Sequence, residues 1–592
     1  MQENYGRRGC KCRRWRIPVI HFNQTKVFCV KNIIFCFLIV SIVITFFHCA
    51  GQMAPPGGPV DTTPPTITET YPETKTTNFN DHAIRITFSE WVDKQSVFES
   101  IFISPDVGEL ELDWSGREIE ITFEDTLREN TTYVLTLGTD VKDLRAGNTM
   151  AEAFSLAFST GGHIDSGALG GKIFDGKPEG VMVFAYMLDA RLSDTLNPAQ
   201  TKPDYLTQTG KDGTFYLPFL RLGNYRLIAM RDEYKNLIYD AQIDQYGVPQ
   251  SEFVLTPEKD LMDGITIRMT SEDTSAPFLS SSRAIDQQHV LLRFSEAIDT
   301  STLRQENIFI EDTLSQAQLS VIDASPSDTT ISEATLLTAE QDGTKTYRVR
   351  IKNIRDLYGN VVSLKTTAGY FDGSGVPDTT KPHISLLNIV NESKEVFPGD
   401  SILIGINEWV IKSKAEHGFS LQDSGKNSLT GAFTWLNATH ARFVPSIPLQ
   451  NKMPYVVSVI LDSLIDIAGN RFTDSMQIFK FQTVDNDKLG SIVGTIEKGT
   501  LSENGRIFLS AKPLEEKLRS RTVSLSAPGK FSFDKLQEGK YLLSAFVDSD
   551  SNSVYAYGTL YPFQTSERFI VYDDTVKVRA RWSVENVKIL FK

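Results

Sequence analysis

Cysteine is all but missing from this chain of 592 residues. Its five cysteines, Cys10, Cys12, Cys29, Cys36 and Cys49, all lie within the first 49 positions. A disulfide scaffold, a structural cysteine–zinc site and a cysteine nucleophile are therefore excluded from the rest. Histidine is scarce as well: the eight are scattered and form no His-Glu-x-x-His pair, so a zincin is excluded. No Gly-x-Ser-x-Gly elbow, phosphate loop or Gly-x-Gly-x-x-Gly turn occurs. Positive charge is short in the body. Of 60 Lys+Arg and 74 Asp+Glu, eight and one fall in residues 1–48, leaving 52 against 73 for residues 49–592. So acidic a body repels phosphate backbones, and no nucleic acid is expected as partner. What remains is an ordinary globular composition, 41% hydrophobic and 23% charged. It rules out wholesale disorder and a multi-span membrane protein, at a length that predicts several domains.

One long apolar run stands out, Ile33 to Phe47. Its fifteen residues rise about 22 Å as a helix, short of a ~30 Å hydrocarbon core. With a basic stretch before it, the run reads as a signal region over residues 1–48. Residues 1–29 are long for such a stretch and read as an over-called start, with initiation near Val30. Cys49 at the end of the run resembles the lipobox cysteine of a bacterial lipoprotein. The resemblance implies that the Cys49 thiol carries diacylglycerol and its amine becomes the mature N-terminus. Phe46, Phe47 and His48 are bulkier than the residues usual there. An uncleaved anchor is the alternative, with the same topology. Residues 49–60, small, Pro/Gly-rich and uncharged, form a lipidated tether.

The body repeats itself. Asp61-Thr-Thr-Pro-Pro65, Asp273-Thr-Ser-Ala-Pro277 and Asp378-Thr-Thr-Lys-Pro382 each open a unit. A strand ending in an acid follows, at Glu90, Glu296 and Glu408. Later comes a tyrosine strand, beginning at Tyr133, Tyr347 and Tyr455. Each leads to a turn: Asp143-Leu-Arg-Ala-Gly-Asn148, Asp356-Leu-Tyr-Gly-Asn360 or Asp466-Ile-Ala-Gly-Asn470. Two copies close with Phe158-Ser-Thr160 and Phe481-Gln-Thr483, and the second lacks a clear counterpart. Strands such as Ile119-Glu-Ile-Thr-Phe123 alternate apolar and polar, as a half-buried sheet requires. Short strands at this spacing predict a β-sandwich. The pattern resembles the bacterial Ig-like domain of surface-layer proteins.

Two other segments share a second pattern. A glycine-rich strand (Gly170-Gly-Lys-Ile-Phe174; Gly490-Ser-Ile-Val-Gly494) leads to a turn, Asp212-Gly-Thr-Phe215 or Pro528-Gly-Lys-Phe531. A Gly-x-Tyr strand follows, at Tyr225 and Tyr541. This order resembles the carboxypeptidase regulatory-like, transthyretin-like sandwich, an accessory module that implies no peptidase. The expected fold is all-β, a string of five small sandwiches. They are Ig-like at 61–161, transthyretin-like at 167–270, Ig-like at 272–374 and 377–486, and transthyretin-like at 490–592. Linkers fall near 161–167, 269–275, 373–379 and 485–490, and a rod or gently bent string is expected. The whole, with the start Gly57-Gly-Pro-Val-Asp-Thr-Thr-Pro-Pro65, resembles Ig-like-domain lipoproteins of Bacteroidetes.

Few residues promise chemistry. Glu90, Glu296 and Glu408 sit at equivalent strand ends, and such repetition favours a structural role. Asp548, Asp550 and Asn552 have the alternate spacing that opens calcium loops, so Ca2+ is the one cofactor to consider. Ser553 stands where an EF-hand needs glycine, and a self-capping turn explains the same residues. Asp232, Asn236, Asp240 and Asp244 form a looser counterpart. Trp91 and Trp409 follow the acid in two copies and suit packing or sugar stacking. Tyr555, Tyr557 and Tyr561 cluster near the end. No catalytic residue is assigned. The expected function is a non-enzymatic, lipid-anchored envelope protein that binds or scaffolds an envelope protein or polysaccharide. It would reside at the outer membrane, the uncharged tether favouring the periplasmic face. A glycan-processing enzyme and a plain spacer are the alternatives.

Overall fold

A computed structural model describes residues 61–592 apart from 125, 189–194, 327–330, 364–367, 474, 498, 500–504 and 592. Cys49, the signal region and the tether lie outside the described residues. The body from Thr63 onwards is one compact unit, and it is all-β. Among the described residues, no helix is long and apolar enough to cross a membrane.

The first Ig-like unit packs a four-stranded sheet against a three-stranded one. The first has the order Ile67–Tyr71, Ala83–Phe88, Glu118–Phe123, Leu110–Ser115, and the second Ile101–Ser104, Thr132–Leu137, Phe154–Ser159. Ala83–Phe88 and Glu118–Phe123 bury every second residue, so Ile84, Ile86, Phe88, Ile119 and Ile121 meet in the core. The third and fourth units repeat this order, each adding a two-residue edge strand, Gln318–Leu319 or Ser428–Leu429. In all three, the buried tyrosine accepts a hydrogen bond from the backbone N–H five residues before it. Arg128 N donates to Tyr133 Oη at 2.8 Å, Asp342 N to Tyr347 at 3.0 Å and Gln450 N to Tyr455 at 2.7 Å. A buried phenol needs such a partner, and the bond fixes the loop ahead of its strand, as in a tyrosine corner. The ring stacks on Phe158, Phe371 or Phe481. Phe371-Asp372-Gly373 is thus the second copy of the Phe-x-Thr ending, on the strand Ala368–Asp372.

The other two segments share one topology. In each, the glycine-rich strand is flanked by an antiparallel and a parallel neighbour. Gly167–Phe174 lies between Thr214–Leu220 and Leu261–Arg268, and Leu489–Glu497 between Lys530–Gln537 and Ser583–Leu590. Both parallel pairs slip register, and both slips sit at a glycine. A Cβ on Gly171 would lie 2.1 Å from the Ile265 carbonyl oxygen, and one on Gly494 2.3 Å from that of Val587. The glycines are there because neighbouring backbone occupies the side-chain space. Tyr225 and Tyr541 each donate to the carbonyl four residues back, of Arg221 and Gln537.

The units do not run out as a rod. Between the first and second, Thr139 Oγ1 donates to Thr209 O at 3.2 Å, and Lys235 reaches Glu99 and Asp140. The second unit's end, Thr270–Ser271, lies along Gln245–Gly247, and Tyr239 Oη donates to Glu272 at the start of the third at 2.8 Å. Third and fourth meet through Trp409, whose indole donates to Asp323 at 3.1 Å. Fourth and fifth meet where Arg519 pairs with Asp400 at 2.6 Å and, with Arg521, covers Phe397. The fifth then returns to the second. Leu560 is buried in a cluster with Tyr186, Ile228, Met230 and Tyr246. Arg268 covers Tyr555 and Phe569, Arg226 covers Phe563, and Tyr246 Oη donates to Gly558 O at 3.1 Å. Units two to five therefore close on themselves. The physical reason is that Leu560, Phe563 and Tyr555, on the loop between Asp548 and Phe569, find apolar and arginine cover on the second unit. Small-angle scattering should give a compact body for wild type. A Leu560→Asp/Arg268→Glu double variant should open it, with a larger radius of gyration and unchanged β circular dichroism.

Candidate functional site

The recurring polar constellation is the aspartate turn. In the first unit the Asp143 carboxylate accepts from the N–H groups of Arg145, Ala146, Gly147 and Asn148 at 2.5–3.1 Å. Burial alone would raise its pKa, but these four donors hold it at about 2. The turn's asparagine reaches to the unit's opening segment. Asn148 Nδ2 donates to Thr63 O at 3.4 Å, Asn360 Nδ2 to Asp273 O at 2.7 Å and Asn470 Nδ2 to Asp378 O at 3.1 Å. The residues that open and close each repeat are thus in contact, which accounts for their joint recurrence.

The strand-end acids sit beside these turns. Burial, then the charges of Asp273 and Asp356, raises the Glu296 carboxyl above its usual range. One oxygen each of Asp273, Glu296 and Asp356 lies within 4.8 Å of the others. In this third unit Asp356 is fully used: Tyr358 N and Asn360 N donate to one oxygen and Asn360 Nδ2 to the other, at 2.7–2.8 Å. Burial, with the charges of Asp378, Asp286 and Asp466, pushes Glu408 up to about 8. Its side chain, 13% exposed, faces the preceding unit rather than open solvent. Trp409 is buried there, stacked on His289 with ring centroids 5.4 Å apart, whereas Trp91 is exposed.

Asp548, Asp550 and Asn552 come together as a self-capping loop. Asn552 N donates to Asp548 and Asp550 at 3.1 and 3.0 Å, Asn552 Nδ2 to Asp550 at 2.7 Å, and Ser553 N to Asp548 at 3.1 Å. Glu567, which the sequence reading passes over, joins them from the following segment, one oxygen each of Asp548, Asp550 and Glu567 lying within 4.8 Å. It accepts from Ser549 N and Ala556 N. Asp232 and Asp244 likewise cap backbone N–H groups of their turn, while Asp240 accepts from the Asn236 side-chain amide at 2.8 Å. Tyr555 packs under Arg268, while Tyr561 is exposed.

Residues 61–160 match the family described as Bacterial Ig-like domain. No curated protein matches the chain. Among solved structures, the N-terminal part of the bacterial S-layer protein SbsC aligns at 14% identity and TM-score 0.16. That alignment covers 35% of this chain and 44%, less than half, of the other. SbsC domains 1-6 align at 9% identity and TM-score 0.17, covering 87% and 67%. L,D-transpeptidase 1 of Mycobacterium tuberculosis aligns at 12% and 0.16, covering 33% and 90%.

Two outcomes are expected. The folded pKa of Asp143 lies below its unfolded value of ~3.9. Its contribution to stability is thus full above about pH 4 and lost as pH falls through about 2. Asp143→Ala should cost about 1–2 kcal/mol at neutral pH, by removing the acceptor of four turn N–H groups. It should also flatten the acid limb of stability against pH, measured by denaturant melts. The loop at Asp548 completes its own hydrogen bonding, so the melting temperature of Asp548→Asn/Asp550→Asn should not respond differently from wild type to calcium or chelator.

Proposed function

We propose that the chain is a non-enzymatic, lipid-anchored envelope protein. In this reading its sandwiches present a rigid surface that binds or scaffolds another envelope protein or a polysaccharide. The observation that carries it is how the polar groups are used. The aspartate turns, the tyrosines and the Asp548 loop are committed to backbone N–H and carbonyl groups that hold β units together. The match of residues 61–160 to a bacterial Ig-like family supports an envelope setting. The second and fifth units, with their shared parallel-pair topology, are read as transthyretin-like, and the combination as that of a Bacteroidetes lipoprotein. Cys49 is the lipidated residue in this proposal. The uncharged tether favours the periplasmic face of the outer membrane over the cell surface. Calcium at Asp548, Asp550 and Asn552 stays subordinate to their role as a turn.

Cys49→Ser tests the anchor. The variant should be unprocessed or move from the membrane to the soluble fraction, while wild type carries an acyl mass. Identical fractionation of the two, with no lipid on either, would overturn the proposal. Cross-linking of the wild-type protein in native membranes should yield a discrete envelope partner that the soluble variant no longer captures.

A further inference from the structure

The junction of the third and fourth units gathers side chains that the turns do not explain. Asp286 sits in the hairpin between Leu279–Ala284 and His289–Phe294. One of its oxygens accepts from Gln288 N and His289 N, and the other lies 2.8 Å from His289 Nδ1. That contact makes Nδ1 the protonated nitrogen and leaves the Nε2 lone pair pointing away from Asp286. Nε2 is buried, has no hydrogen-bond partner, and stands 3.8 Å from Glu408 Oε2. This is too long for a hydrogen bond and within twice a metal–ligand bond of ~2.1 Å. Asp378 accepts Thr380 N on Oδ1 and leaves Oδ2 buried and unpartnered. Asp466 accepts Asn470 N on Oδ1 and leaves Oδ2 in the same state. His289, Asp378 and Asp466 are 4%, 7% and 2% exposed. One ligand atom each of Asp286, His289 and Asp378 lies within 4.8 Å of the others. Among the described residues, no lysine or arginine pairs with Asp378, Glu408 or Asp466.

Acids gathered at a turn are ordinary; a buried imidazole nitrogen and two buried carboxylate oxygens left without partners at one junction of two units are not. Each of these three side chains is held on one atom by a hydrogen bond and leaves the other unpartnered, as a metal ligand fixed by an outer partner does. We propose that this junction binds one divalent metal ion of the zinc class, ligated by His289 Nε2, Asp378, Asp466 and Glu408, with Asp286 positioning the imidazole. Imidazole with few donors suits zinc-class ions, whereas calcium takes six to eight oxygens. The third unit's turn shows the contrast: there Asn360 Nδ2 occupies the second oxygen of Asp356, whereas Asp466 Oδ2 is left free. The ion would clamp two units, since His289 belongs to the third and the carboxylates to the fourth.

The test uses the full chain with its cysteines alkylated, which silences the thiols of residues 1–49 and alters nothing in the body. After stripping with chelator, zinc is titrated calorimetrically, and melting is followed with and without zinc. One equivalent should bind and raise the melting temperature. His289→Gln and Asp378→Asn should weaken binding at least a hundredfold. Asp286→Asn, acting through His289, should weaken it 10–100-fold. If His289→Gln fails to fold, Asp466→Asn decides, because it keeps an oxygen for Asn470 N–H while losing the anionic ligand. No zinc binding by wild type would overturn the proposal. So would affinity unchanged in the ligand variants, or calcium bound at these residues in preference to zinc.

Discussion

A buried aspartate whose carboxylate collects the N–H groups of its own turn is the interaction on which each Ig-like unit depends. In the first unit Asp143 takes four of them. Without it, four N–H groups of the turn would lose their acceptor. The asparagine at the turn's end then ties it to the segment that opens the unit. Chain start and late turn are thereby joined across the sandwich, and the direction in which a neighbouring unit leaves is set at the same place.

That place is also where the units differ. In the third, the asparagine amide completes the hydrogen bonding of the aspartate. In the fourth, the amide holds only the opening segment, Asp466 keeps a free oxygen, and a histidine from the unit before approaches. A structural device repeated for packing has there the ingredients of a binding site. The change needs no new backbone, only a different use of one amide and a hairpin from the neighbour that carries Asp286 and His289.

Closure of the second to fifth units rests on apolar burial rather than on the turns. The loop after Asp548 carries Leu560, Phe563 and Tyr555 onto the second unit, where two arginines lie over its rings. Aromatic residues grouped in a polar turn region suit sugar binding when read along the chain. In the fold, Tyr555 is interior packing, and Trp409 is the floor of a junction. Trp91, at the same repeat position, is exposed.

The periodicity of the strands, the three Asp-to-Asn turns and the two glycine-rich strands were legible along the chain. Each rests on a local rule: alternation for a half-buried strand, positive φ or close approach for glycine, self-capping for Asp and Asn. So the all-β class follows from the order of residues. The ending at Phe371 escaped because its threonine is replaced by Gly373, while the phenylalanine that packs on Tyr347 remained. Two things were decided only in three dimensions. Which units touch depends on surfaces far apart in sequence, so the return of the fifth unit to the second carries no local signal. The junction cluster draws on Asp286, His289, Asp378, Glu408 and Asp466, spread over 181 positions of the chain. No spacing rule connects them, because their proximity comes from the way one sandwich is set upon the next.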